Sequence, residues 1–395
     1  MSRKRLFQLS MIVLFIALLL TGCNKFSGGF FETGGGKPDQ ATSLTEQLHD
    51  QATPQVSPTA TPAEARIPDP TYTPALQNKD IPEADHNDSP EGEKAPEPTS
   101  PASKEAVANQ PQTRTYNIQQ TFDIRNESTA ATNSFELIVA KIRSLEPFQE
   151  VTDFSVEPEL EYHEKSDEHG NQYLILTIKD LPVKEKIRIT LNYQVNVHAQ
   201  KTNNQECEGD LITDYTQAEA FIESGSPEII GLAEKLSRDK TDLCQQSRAF
   251  YKYVTGAIAY SGHNNEPGGA VYTLSQKSGD CTEFSDLLIA LNRSAGIPAR
   301  FVEGVTPLED DETHDWVQVY LPGSGWTTMD PTWGRKPDQR ETYFAGTTPD
   351  HIIVTTGRNL EALNYFHYWT YKFTCPKNAG QPDVDISMNW DIQSE

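Results

Sequence analysis

Basic residues are scarce in this chain. Lys and Arg number 33 against 57 Asp and Glu, giving a formal charge of −24 over 395 residues. A nucleic-acid binder needs a basic face to displace counterions from phosphates, and a polybasic stretch is what grips anionic headgroups. The charge argues against both. Cysteine is sparse too: five residues, at 23, 207, 244, 281 and 375, too few for a disulfide scaffold. No Cys-x-x-Cys pair and no EF-hand loop occurs, so no metal and no cofactor is expected. Long apolar runs are missing as well. Met11–Leu20 has ten residues, about half of what a bilayer-spanning helix needs. Hydrophobic residues make up 36% and are unevenly spread, which points to an unfolded portion beside folded ones.

What is present at the N-terminus reads as an address. Arg3, Lys4 and Arg5 precede the apolar run, and Leu20-Thr21-Gly22-Cys23 follows it. A basic flank, a short apolar stretch and small residues form a secretory signal. The last four residues resemble the bacterial lipobox, in which the Cys thiol takes a lipid and the signal is cut before it. The resemblance implies a signal peptide over 1–22, a lipid anchor such as palmitate on Cys23, and a place on the extracytoplasmic face of the cell membrane. Stable anchoring needs more than one acyl chain. Residues 23–114 are rich in Pro, Thr, Ala, Gln and Glu and hold about half of the 26 prolines. Such a segment cannot bury enough apolar surface to offset chain entropy, so a disordered tether is expected.

From Thr115 the pattern acquires period two. Tyr116, Ile118, Phe122 and Ile124 alternate with polar residues, as do Ile187, Ile189, Leu191, Tyr193, Val195 and Val197. Phe135 to Ile142 and Leu174 to Ile178 are shorter strands, and Asp167 to Asn171 is a turn cluster. This predicts an antiparallel β-sandwich over 115–204, without a titratable cluster. From about Thr213 the period is helical. Ser226-Pro227 and Asp242 are start signals, with Ile229, Ala233, Leu243, Phe250 and Val254 facing inward. His263 to Gly269 is a glycine-rich loop lacking a phosphate-binding lysine.

The segment that carries chemistry is Gly279-Asp280-Cys281-Thr282-Glu283, ahead of Phe284, Leu287, Leu288 and Leu291. Asp280 and Glu283 have capping-box spacing, which puts Cys281 at the first turn of a helix, where the dipole favours a thiolate. Thr313 to Tyr320 and Gly325 to Asp330 read as two strands joined by a tight turn, a hairpin that brings His314 toward Asp330. These are the parts of a Cys-His-Asp triad: a thiolate to attack an acyl carbon, an imidazole to carry protons, and a carboxylate to orient the ring. Together with Arg293-Ser294-Ala295-Gly296-Ile297-Pro298-Ala299-Arg300, His314-Asp315-Trp316, Asp330-Pro331-Thr332 and Asp350-His351-Ile352-Ile353-Val354, the motifs closely resemble the transglutaminase-like superfamily.

The resemblance implies an α+β fold: a papain-like core over 205–395, preceded by the β-sandwich. It implies Cys281 as nucleophile, His314 as base and Asp330 as orienting acid. The Cys281 backbone N–H is the natural oxyanion donor, and Tyr260 is a candidate second donor or cleft-wall residue. Asp315 stands where the family commonly has Ala. As a strand neighbour it should point away from the face of His314. Asp310, Asp311 and Glu312 are either a solvated loop or a source of negative charge near His314. Arg300 is expected to serve an ion pair. Among Cys207, Cys244 and Cys375 three disulfides are possible, with Cys207–Cys244 favoured. The expected function is a membrane-anchored thiol enzyme acting through a thioester on protein or peptide amides, by cross-linking, deamidation or proteolysis. The alternatives are a catalytically silent binding module on the same scaffold and a purely structural protein of the cell envelope. Oligomeric state is not legible.

Overall fold

The computed structural model describes residues 26–27, 112–129, 134–202, 207, 209–263, 267–308, 313–373 and 384–395. The expected signal peptide and almost all of the expected tether, with Cys23, and also Asp310, Asp311, Glu312 and Cys375, lie outside the described residues. Among the described residues no helix is long and apolar enough to cross a membrane.

Two antiparallel sheets form the sandwich. One holds β1 (Thr113–Asn126), β3 (Gln149–Glu157) and β6 (Lys186–His198). The other holds β2 (Ser134–Lys141), β4 (Tyr162–Ser166) and β5 (Gln172–Lys179). Alternation decides which face each strand buries. Tyr116, Ile118, Phe122 and Ile124 of β1 and Ile189, Leu191, Tyr193 and Val195 of β6 point into the core. Their partners are Phe135, Leu137 and Val139 of β2 and Leu174, Leu176 and Ile178 of β5. Asp167 closes its turn by accepting hydrogen bonds from the backbone N–H groups of His169 and Asn171.

The papain-like core packs four helices against a third sheet, of four strands. The helices are α1 (Pro227–Ser237), α2 (Leu243–Ala257), α3 (Gly269–Gln276) and α4 (Cys281–Ser294). The strands β7 (Ala299–Val305), β8 (Thr313–Leu321), β9 (Gly325–Met329) and β10 (Ile352–Thr356) lie in the order β9-β8-β7-β10. The side chains of Ser226 and Asp242 cap α1 and α2. Phe284, Leu287, Leu288 and Leu291 of α4 are fully buried against Phe250 and Val254 of α2 and Val317 and Val319 of β8. A Cys207–Cys244 disulfide ties the chain entering this core to the first turn of α2.

The C-terminal boundary needs correction. Residues 205–395 are not all core. Strands β11 (Trp369–Phe373) and β12 (Val384–Ser394) return to the sandwich, β11 beside β2 and β12 beside β1. The aromatic content explains it: Trp369 meets Phe122 edge-on at 5.7 Å between ring centroids, and Trp390 is buried in the sandwich core. Sandwich and core share polar seams too. The Gln149 side chain donates to the Ile353 carbonyl and accepts from the Ile353 N–H at 2.9 and 2.7 Å, and Asn171 makes the same two-way contact with Thr356.

Candidate active site

Cys281 is the first residue of α4. The Asp280 side chain accepts from the Thr282 N–H, and the Glu283 carboxylate accepts from the Asp280 N–H at 3.0 Å, so the capping box is complete. Gly279 is required by this close packing, since a Cβ there would stand 2.4 Å from the Glu283 Cβ. Ser278–Gly279 pairs in parallel with Ala259–Tyr260, which sets Tyr260 beside the segment that leads into Cys281.

His314 and Asp330 come from the expected hairpin. Strand β8 pairs with β9 up to Val317 opposite Met329, and Asp330 follows directly. The His314 Nε2 lies 2.9 Å from the Asp330 Oδ2, with both side chains buried. The other Asp330 oxygen accepts from the backbone N–H groups of Thr332 and Trp333 at 2.8 and 2.9 Å. Trp333 stacks on the His314 ring at 4.9 Å and 15°. Burial works to raise the Asp330 pKa, but the charge and hydrogen bond of His314 and the hydrogen bond of His351 hold it well below the usual carboxylate range. Cys281, His314, Tyr260 and Arg335 all face one small cleft of about 40 Å³.

His351, in the Asp350-His351-Ile352 motif, joins the cluster as well. Its Nε2 approaches the same Asp330 oxygen at 3.2 Å, and its Nδ1 is 2.8 Å from the Thr347 hydroxyl. The neighbouring Asp350 is gripped by the sandwich, through Arg114 at 2.6 Å and the Tyr116 hydroxyl at 3.1 Å. His314, Asp330 and His351 are close enough to share a metal ion. Their hydrogen bonds already account for the cluster without one. The second such group, Cys207, Asp242 and Cys244, has two sulfurs committed to the disulfide.

Three expectations change. Asp315 is not a bystander. Its carboxylate accepts from the Thr282 hydroxyl at 2.6 Å and lies 3.9 Å from the Cys281 Sγ. The helix terminus does not leave Cys281 as an easy thiolate either. Burial, then the Asp315 and Asp280 carboxylates, push the thiol well above its ordinary value, against the pull of the Asp315 N–H. Burial also raises Asp315 to about 6, opposed by the charge of His367. Arg300 binds the Gln318 oxygen at 2.8 and 2.6 Å and lies over the Trp326 ring, so a neutral amide replaces the expected ion pair. Tyr260 is 39% exposed and serves as cleft wall, under the Arg335 guanidinium at 4.4 Å.

Comparison with known proteins agrees with this architecture. The profile of the transglutaminase-like superfamily, Transglut_core, matches residues 230–331. The chain is 33% identical over 125 residues to the uncharacterized protein YebA of Bacillus subtilis, a match covering 26% of this chain and 17% of that one. It is 32% identical over 76 residues to a protein-glutamine gamma-glutamyltransferase of Pseudomonas aeruginosa, covering 16% and 11%. Both matches therefore span less than a fifth of the relative's length. A candidate cysteine protease from Cytophaga hutchinsonii has the same fold, with a TM-score of 0.52 and 19% identity over 71% of this chain and 91% of that one. Sheet order, helix-borne cysteine and paired strands define a papain-like core. Over residues 230–331 the chain carries a transglutaminase-like domain.

Proposed function

We propose that the chain is a lipid-anchored, extracytoplasmic thiol enzyme that works through a thioester on protein or peptide amides. The observation that carries this is the convergence of Cys281 and His314 on one cleft, with the buried Asp330 behind them holding the His314 Nε2 at 2.9 Å. That contact leaves Nδ1 as the nitrogen to take the thiol proton. The thiolate then adds to the amide carbon, and the amine departs with the proton from His314. Water or a second amine opens the thioester, with His314 again as base. The Cys281 N–H at the helix start is suited to the oxyanion.

A glutamine-containing peptide incubated with a primary amine tests this by mass spectrometry. Amine incorporation, a mass gain of about 1 Da from deamidation, or chain cleavage should appear with wild type and vanish with Cys281→Ala. No covalent product from wild type, on a panel of peptides, would sink the reading. Palmitate labelling that is lost in Cys23→Ala tests the anchor.

The Cys281–Asp315 contact favours one second reading, a silent module whose thiol is held protonated. Failure of a small electrophile to label Cys281 in folded protein would favour it.

A further inference from the structure

The cleft carries a cation that the triad does not use. Arg335 closes the 3-10 turn Trp333–Arg335, whose start is fixed by the two backbone hydrogen bonds to Asp330. One guanidinium nitrogen, Nη1, donates to the Thr332 carbonyl at 2.6 Å, and the guanidinium plane is seated over the Tyr260 ring. Both contacts hold the group at the cleft that contains Cys281 and His314. Arg114, Arg125, Arg188, Arg248, Arg293 and Arg358 each pair with a carboxylate. Arg335 pairs with none among the described residues. Nor is any of the described residues lining the cleft acidic; the titratable lining groups besides Arg335 are Tyr260, His263, Cys281 and His314. The nearest carboxylates, Asp315 at 3.9 Å from the Cys281 Sγ and Asp330 on His314, stand behind the lining rather than in it.

We propose that Arg335 is a specificity-determining residue that selects acyl donors bearing a carboxylate close to the attacked carbonyl; this rests on the reading of Cys281 as nucleophile. A guanidinium presents a planar fork of N–H donors that matches a carboxylate with two hydrogen bonds. Stacking on Tyr260 fixes its orientation before substrate arrives, which lowers the ordering cost on binding. The cleft is small, so an anion that reaches Arg335 lies within a few bonds of the carbon facing Cys281. The carboxylate is either a free terminal α-carboxylate or an acidic side chain of the residue next to the amide.

Two alkylating reagents of similar size provide the test. Iodoacetate is anionic and iodoacetamide neutral, both alkylate thiols, and their rates are read at Cys281 in the full chain. The iodoacetate-to-iodoacetamide rate ratio should fall about tenfold in Arg335→Gln, as expected for one charge-assisted hydrogen bond. It should be only partly kept in Arg335→Lys, which retains the charge but not the planar fork, and decline in wild type as salt is added. A ratio unchanged by Arg335→Gln, with circular dichroism showing folded protein, overturns the proposal.

A binding arm is independent of thiol chemistry. In Cys281→Ala, isothermal titration calorimetry would report binding of N-acetylglutamine, its neutral methylamide, and N-acetylaspartylglutamine methylamide. Tighter binding of the first points to a terminal carboxylate, and of the third to an acidic side chain. Equal binding of all three overturns the proposal. Unreactive Cys281 with selective anion binding would count against the enzyme reading alone.

Discussion

In the sandwich the fully buried side chains are mostly hydrocarbon: Phe122, Ile124, Phe135, Leu137, Leu174, Leu176, Ile189 and Leu191. In the core, Asp280, Glu283, Asp286, Glu303, His314, Asp315, Asp330 and His351 are buried around one helix terminus and its facing strands. Burying an ionisable group is costly unless it is paired or hydrogen-bonded, and these groups have partners inside the core. Asp286 holds Arg358 at 3.1 and 3.3 Å; Glu303 binds His367 and the Thr355 hydroxyl; Asp330 binds two histidines. Even so, burial raises Glu283 and Asp286 to about 7. The sandwich spends its interior on stability. The core gives up stability to keep reactive groups out of water.

The contrast can be broken from the sandwich side first. Phe122→Ala removes a buried ring packed on Trp369 and should cost about 3–5 kcal/mol in urea unfolding, while leaving Cys281 labelling in the folded fraction intact. From the core side, Asp315→Asn removes a negative charge beside the thiol. Its pKa should move down, and alkylation at neutral pH should speed up several-fold with little loss of melting temperature. Slower labelling would show that Asp315 assists the nucleophile instead.

Two further variants probe the seam. Tyr116→Phe deletes the hydroxyl that donates to the Pro349 carbonyl and Asp350, and should cost about 1 kcal/mol. A measurable drop in turnover with it would show the sandwich bracing the loop that carries His351. His367, just ahead of β11, is raised from 6.5 to about 9: burial opposes the charge, but the Glu303 carboxylate prevails. A raised histidine stabilises fully below its unfolded value, and that contribution is lost as pH rises through the folded value. The wild-type melting temperature should therefore fall between pH 6.5 and 9. In His367→Gln that fall should flatten.

How much of this was legible follows the same contrast. Strands β1, β2, β5 and β6 announced themselves because one face of each is apolar. Strand β4 is exposed at every position and β3 at most of its odd ones, so neither shows a clear alternation to read. Helix α3 begins at Gly269, with φ +77° and no side-chain cap, hence with no start signal. Cys281, His314 and Asp330 stood in motifs with local punctuation, a capping box and a hairpin. His351, Arg335 and the Asp315–Thr282 contact did not, because their roles come from side chains meeting across 20 or more residues. The C-terminal return to the sandwich was hidden for the same reason: strand pairing between residues 116 and 394 leaves no local mark.

The most direct test of the account is the rate of Cys281 alkylation by iodoacetamide across pH 5 to 9, in wild type and His314→Ala. If His314 takes the thiol proton, the variant should react about a hundredfold or more slowly below pH 8. Equal rates, with Cys281 titrating as an ordinary thiol in both proteins, would contradict it.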